Sequence, residues 1–140
     1  MFALGLLAGG LLLGCGSERA DLGYLAAALH IPRDVAAELE AVELYVYETD
    51  RVTKEPTCDR FMLNRDYYKT RQEQVKGTIA FRTSQETTLD GIPDRGNVWR
   101  VYARGLNSPG LLIAHGCHGG VVDVDPDGPP AEITIALERI

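Results

Sequence analysis

Three stretches of this chain alternate apolar and polar residues with a period of two, and that alternation limits the fold more than any other feature. In Glu40–Glu48, Val42, Leu44 and Val46 fall on one face and Glu43, Tyr45 and Tyr47 on the other. In Asn97–Arg104, Trp99, Val101 and Ala103 share a side; in Glu132–Glu138, Ile133, Ile135 and Leu137 do. Successive side chains of a strand point to opposite faces, so each stretch reads as a strand with one buried face. Val75–Thr83 predicts a further strand with Ile79 and Phe81 inward. Leu111–Cys117 predicts the return strand of Asn97–Arg104, joined by the turn residues Leu106-Asn107-Ser108-Pro109-Gly110. Gly120–Asp125 and Glu132–Glu138 read as another pair turned at Pro126-Asp127-Gly128, and Thr88–Arg95 reads as a turn. Thr57–Asn64 is ambiguous, with Asp59 placed to start a short helix. Six or seven short strands over about 100 residues, with turn signals every 8–12, predict an all-β sandwich of about seven antiparallel strands.

The first 14 residues are a separate object. They hold ten hydrophobic residues, four glycines and no charge. The apolar run Phe2–Leu13 is too short to span a bilayer, which takes roughly 20 residues, and it has the length of a signal-peptide core. Leu12-Leu13-Gly14-Cys15 follows it and resembles the lipobox of bacterial lipoproteins, although no Lys or Arg precedes the run. The resemblance implies cleavage between Gly14 and Cys15, lipidation of Cys15, and a membrane anchor of several acyl chains. Gly16, where Asp would favour inner-membrane retention, points to the outer membrane. Residues 1–14 are then a signal peptide, 15–37 a lipidated N-terminus and tether, and 38–140 the sandwich. Within the tether, the Ala-rich Leu22–His30 has the composition of one or two helical turns, ended by Ile31-Pro32; Asp34 is placed to cap a further short turn.

The segment Leu89–Ala103 (LDGIPDRGNVWRVYA) resembles a signature of transthyretin-like, carboxypeptidase-regulatory-type sandwiches, with Asp94-Arg95 inserted before Gly96. Val122–Leu137 is similar to the last two strands of that module. The resemblance implies an Ig-like or prealbumin-like sandwich in which the Ile-Pro step carries the chain from one sheet to the other. It implies no reaction.

With Cys15 lipidated, two of the three cysteines remain, and export to an oxidising compartment predicts a Cys58–Cys117 disulfide. The competing reading gathers His115, Cys117 and His118, with Cys58, around zinc or copper; on a strand His115 and Cys117 point the same way. Asp123, Asp125 and Asp127, followed by Gly128, match the opening of a calcium loop, but Thr134 stands where a bidentate Glu belongs. A Pro-Asp-Gly turn accounts for the same residues without a metal, so no cofactor is expected.

Catalytic sets are scarce. None of Ser17, Ser84 and Ser108 sits in G-x-S-x-G, and neither a P-loop nor G-x-G-x-x-G occurs. A net charge of -6 disfavours nucleic acid as partner. Tyr45, Tyr47, Tyr67, Tyr68, Trp99 and Tyr102 are candidates for a ligand or glycan surface, with Tyr45 and Tyr47 as an exposed platform beside Glu43, although such a face is more often the second layer of the sandwich. The expectation is a lipid-anchored, non-enzymatic lipoprotein of the cell envelope, a binding or structural accessory with a protein or glycan partner. The alternative is a calcium- or transition-metal-binding envelope protein.

Overall fold

A computed structural model describes residues 22–82, 84–94 and 96–140. Eight strands form two sheets: β1 (Leu22–His30), β4 (Glu86–Pro93) and β7 (Ala131–Ala136) in the order β4-β1-β7, and β2 (Ala41–Thr49), β3 (Val75–Ala80), β5 (Val98–Leu106), β6 (Leu112–Cys117) and β8 (Glu138–Arg139) in the order β3-β2-β5-β6-β8. The fold is the all-β sandwich that the alternation predicts. Every named strand pair is antiparallel except β1 with β7, which is parallel.

The alternating residues meet between the sheets. Val42, Leu44 and Val46 of β2 and Trp99, Val101 and Ala103 of β5 are fully buried, and β1, β4 and β7 answer with Leu25, Leu89, Ile92, Ile133 and Ile135. Burying a side chain of this size stabilises a fold by about 1.5–3 kcal/mol.

Three segments depart from the sequence-based expectation. Leu22–His30 is neither tether nor helix; it is the central strand of the smaller sheet, so the sandwich starts before residue 38. Leu25, Ala27 and Leu29 point inward and Ala26 and Ala28 outward. Alanine on both faces masks the period of two, and alanine's high helix propensity argues locally for the wrong element. Thr88–Arg95 is largely strand, since β4 runs to Pro93. Its turn-like look comes from a bulge: Gly23 pairs Ile92 and Leu25 pairs Leu89, so Asp90 and Gly91 together oppose Tyr24. Gly91 takes φ +76 there, a conformation that favours glycine. The expected hairpin of Gly120–Asp125 with Glu132–Glu138 is also replaced. Val122 makes a single bridge to Trp99, while β7 lies parallel to β1. The chain then changes sheet at buried Leu137, whose N–H donates to the His30 carbonyl at 2.9 Å, and β8 pairs with β6.

Between β1 and β2 a one-turn helix, α1 (Arg33–Ala36), starts from Pro32. Asp34 does not cap it. It lies in the first turn and accepts from Arg139 Nε at 2.8 Å, which lowers its carboxyl from the usual range. The long β2–β3 connection carries α2 (Cys58–Leu63) and a 3-10 turn (Tyr67–Thr70), and these place the first candidate site. No helix among the described residues is long and apolar enough to cross a membrane.

Candidate functional site: the two outer faces

The outward residues of the larger sheet form cross-strand rows. Strand register sets Glu43 of β2, Arg104 of β5, His115 of β6 and Glu138 of β8 in one row, and Lys76, Tyr45, Tyr102 and Cys117 in the next. Tyr45, Tyr47 and Tyr102 are therefore neighbours because β2 and β5 pair in that register.

The β2–β3 connection folds over them. Phe61, from α2, is fully buried; its ring lies 4.9 Å from that of Tyr102, 5.0 Å from Tyr47 and 4.9 Å from Tyr67. Tyr68 closes the cover, its ring 5.2 Å from Tyr45 and its carbonyl accepting from the Tyr47 hydroxyl at 3.2 Å. Of the two readings of this aromatic face, an exposed platform and a packed layer, the structure shows the packed one, a second small core. Tyr45 is 5% exposed, Tyr47 1% and Tyr102 0%, because an aromatic face of this area is stabilised by covering it. Trp99 lies in the main core, on the other side of β5.

Two devices hold the cover down. Cys58, the first residue of α2, is disulfide-bonded to Cys117 at the end of β6, with Cα atoms 5.6 Å apart. The cysteine pairing expected from parity is the one that forms. The second device is Arg100, 4% exposed, which donates to the carbonyls of Lys54 and Pro56 on the cover and His118 and Gly119 after β6. Burial lowers its pKa from the usual value, but an arginine stays charged, and the carbonyls supply the partners a buried cation needs. Sequence reading missed Arg100, since in NVWRVYAR it looks like an ordinary outward residue. The same holds for Arg104, whose guanidinium stacks 4.2 Å from the Tyr68 ring centroid and donates to Glu43 at 2.8 Å. Burial pulls the Glu43 carboxyl up, but the Tyr45 hydroxyl, Lys76 and Arg104 outweigh it and hold the pKa below normal.

The metal candidates do not converge. Cys117 has no free thiol. His115 is buried, its Nδ1 sharing a hydrogen bond with the Tyr102 hydroxyl at 2.7 Å; burial lowers its pKa and pushes that of Tyr102 up to about 12. His118 Nδ1 lies 3.3 Å from the Thr134 carbonyl oxygen. Asp123 takes an ion pair from Arg51 at 2.8 Å, and Asp125 accepts from the N–H of Asp127 at 3.0 Å, a turn-forming contact. Among the described residues no group of three or more His, Cys, Asp or Glu side chains is placed to hold a metal ion. Cys15 and Gly14 lie outside the described residues.

Among the described residues nothing covers the outer face of the smaller sheet. Ala26 stands between Thr88 on β4 and Glu132 on β7, and Ala28 between Glu86 and Thr134. The small alanines make a groove of about 710 Å³ along β1, walled by the Thr and Glu side chains and by Ser84. Strands β1, β4 and β7 carry Glu86, Asp90 and Glu132 and not one Lys or Arg. The segment 54–76 over the other face carries Lys54, Arg60, Arg65, Lys69, Arg71 and Lys76 against four acids. The sandwich is therefore acidic on its open side and more basic on its covered side.

Comparison with protein-family models, with curated proteins and with solved structures returns no match to this chain.

Proposed function

We propose that this protein is a lipid-anchored lipoprotein of the bacterial cell envelope, held at the outer membrane through Cys15, and that it serves there as a non-catalytic binding or structural accessory. The observation that carries the reading is the Cys58–Cys117 disulfide. It fits an exported chain, because disulfides persist in oxidising compartments. It also leaves Cys15 as the odd cysteine of three, set in Leu12-Leu13-Gly14-Cys15. Six residues lie between Cys15 and Leu22, where β1 begins, and the seven steps from one to the other cover at most about 25 Å of extended chain. An anchored sandwich would thus stand beside the membrane rather than far from it.

The non-catalytic part rests on how the reactive groups are engaged. Both sandwich cysteines are bridged, His115 is bonded to Tyr102 under the cover, and Asp123 is paired with Arg51. The resemblance to transthyretin-like, carboxypeptidase-regulatory-type sandwiches gains support from one feature of the path. The chain leaves the smaller sheet at Ile92-Pro93 and enters the larger one at Val98, the crossing that the Ile-Pro step implies.

Peptide mass spectrometry without reduction, on protein from native membranes, tests the anchor. The expected N-terminal peptide starts at an acylated Cys15, and Cys15→Ala is expected to release the protein from the membrane fraction. An unmodified Cys15, or a Cys15→Ala chain that stays with the membrane, would sink the reading.

A further inference from the structure

We infer that the open groove along β1 is a docking site for one extended, cationic peptide segment of a partner protein. Three observations narrow the occupant to that class.

The first is charge. Glu86 and Glu132 stand on opposite walls, offset by two residues along β1, and Asp90 lies further along the β4 side. Among the described residues no cation is paired with any of the three, and the three strands supply none. Phosphate-bearing polymers and anionic headgroups are repelled by such a surface, and Lys or Arg side chains are drawn to it.

The second is size. Three strands about 4.8 Å apart, paired over some six residues, present a face of roughly 15 by 20 Å, or about 300 Å². A stable interface between folded proteins takes about 800 Å² from each partner. The face is too small for a second copy of the sandwich and matches a single strand-like segment of about six residues.

The third is shape. Ala26 and Ala28 leave a floor without side chains that a bound segment would have to displace, and Thr88 and Thr134 offer hydroxyls beside each carboxylate. On the other outer face Phe61 and Tyr68 pack over the outward side chains of the sheet. The inference names the partner chemistry for the accessory role and rests on that role only for its setting. Binding does not depend on lipidation.

The test uses the full chain in non-ionic detergent and a fluorescein-labelled heptapeptide of alternating Lys and Thr, read by anisotropy. Saturable binding is expected at 0.05 M salt, weakening as salt rises toward about 0.3 M, where charges beyond several ångströms are screened. The same peptide with Glu for Lys should not bind. Glu86→Lys with Glu132→Lys is expected to weaken binding at least tenfold. Ala28→Phe, which fills the floor without changing charge, should do the same while the thermal midpoint holds. Asp59→Lys with Asp66→Lys makes the same charge change on the covered side and is expected to leave binding within twofold. Equal losses in both charge-reversed proteins would mean attraction by net charge alone and would overturn the site. So would the absence of binding at low salt. Self-association in sedimentation that Glu86→Lys with Glu132→Lys abolishes would give the groove to a second copy and overturn the peptide assignment. None of these outcomes bears on acylation of Cys15, so this inference and the anchor stand or fall separately.

Discussion

The two outer faces of this sandwich rest on the same core and are finished in opposite ways. Over the larger sheet the outward residues are large and aromatic, and the chain returns across them with Phe61, Tyr67 and Tyr68, a disulfide and a buried arginine. Over the smaller sheet they are Ala, Thr and Glu, and nothing among the described residues covers them. The difference follows from the side chains. Leaving Tyr45, Tyr47 and Tyr102 in water would forgo a large hydrophobic gain, so a cover is worth its ordering entropy; alanine and threonine offer no such gain. A covered face adds stability, whereas a face of small and acidic side chains gains little from a cover.

Breaking the cover is therefore expected to give the largest effects. Replacing both Cys58 and Cys117 by Ser opens a loop with a sequence separation of 59, and should cost about 4 kcal/mol in the chain-entropy model. Denaturant unfolding checks the size. Hydrogen exchange should show protection lost first over α2 and the 3-10 turn, with β1 and β7 still protected. Loss spread evenly over both sheets would erase the distinction between the faces.

Next is Phe61→Ala, which empties the middle of the aromatic cluster. It should destabilise by about 3 kcal/mol, the low end for a buried Phe. An effect below 1 kcal/mol in urea unfolding would mean that the cover is not a core. Arg100→Leu comes after it. The loss of hydrogen bonds to Lys54, Pro56, His118 and Gly119 leaves those carbonyls without their cation, at about 2 kcal/mol.

A gentler test uses pH. Burial holds the His115 imidazole below its ordinary value of 6.5, against the pull of Glu138; Arg65 and Arg104 push it the same way as burial. The unfolded chain then takes up the proton first. The stability contribution is intact above about pH 6.5 and is lost as pH falls from there through the folded value. In His115→Gln the decline between pH 6.5 and 5 should flatten, while the later loss tied to Glu43, below its usual 4.5, remains. The smallest effect is expected on the open face. Thr88→Ala and Thr134→Ala should each change stability by no more than about 0.5 kcal/mol, since both side chains are solvated. A larger cost would show that this face is part of the structure and not a free surface.

Much of the frame was legible because its signals are local. Val42, Leu44 and Val46, then Trp99, Val101 and Ala103, then Ile133, Ile135 and Leu137, announce their buried face by simple alternation, and all nine are buried. The disulfide was legible through cysteine parity. Strand β1 was not, because Ala26, Ala27 and Ala28 look alike although Ala27 is buried and its neighbours face out. Strand β4 was hidden behind the bulge at Asp90-Gly91. Of the sites, the metal candidates were visible as motifs, but adjacency in sequence did not bring their donors together. The groove was invisible, since Glu86, Ala28 and Thr134 share a face only after three distant strands pair.

By itself the sequence determined that this chain has strands and which faces of most of them are apolar; for Cys58 and Cys117 it left a disulfide and a metal site open, and the structure has the disulfide. Tertiary structure alone decided that β1 lies parallel to β7 and that the tyrosines are covered while, among the described residues, the alanines are not. It also set Gly116 where a Cβ would come within 2.1 Å of the Ala136 carbonyl oxygen, a close approach of two strands that only glycine permits. The reason is one of range. Alternation is a property of neighbours in the chain, whereas pairing, coverage and close approach depend on which distant segment arrives, and no short stretch of sequence carries that information.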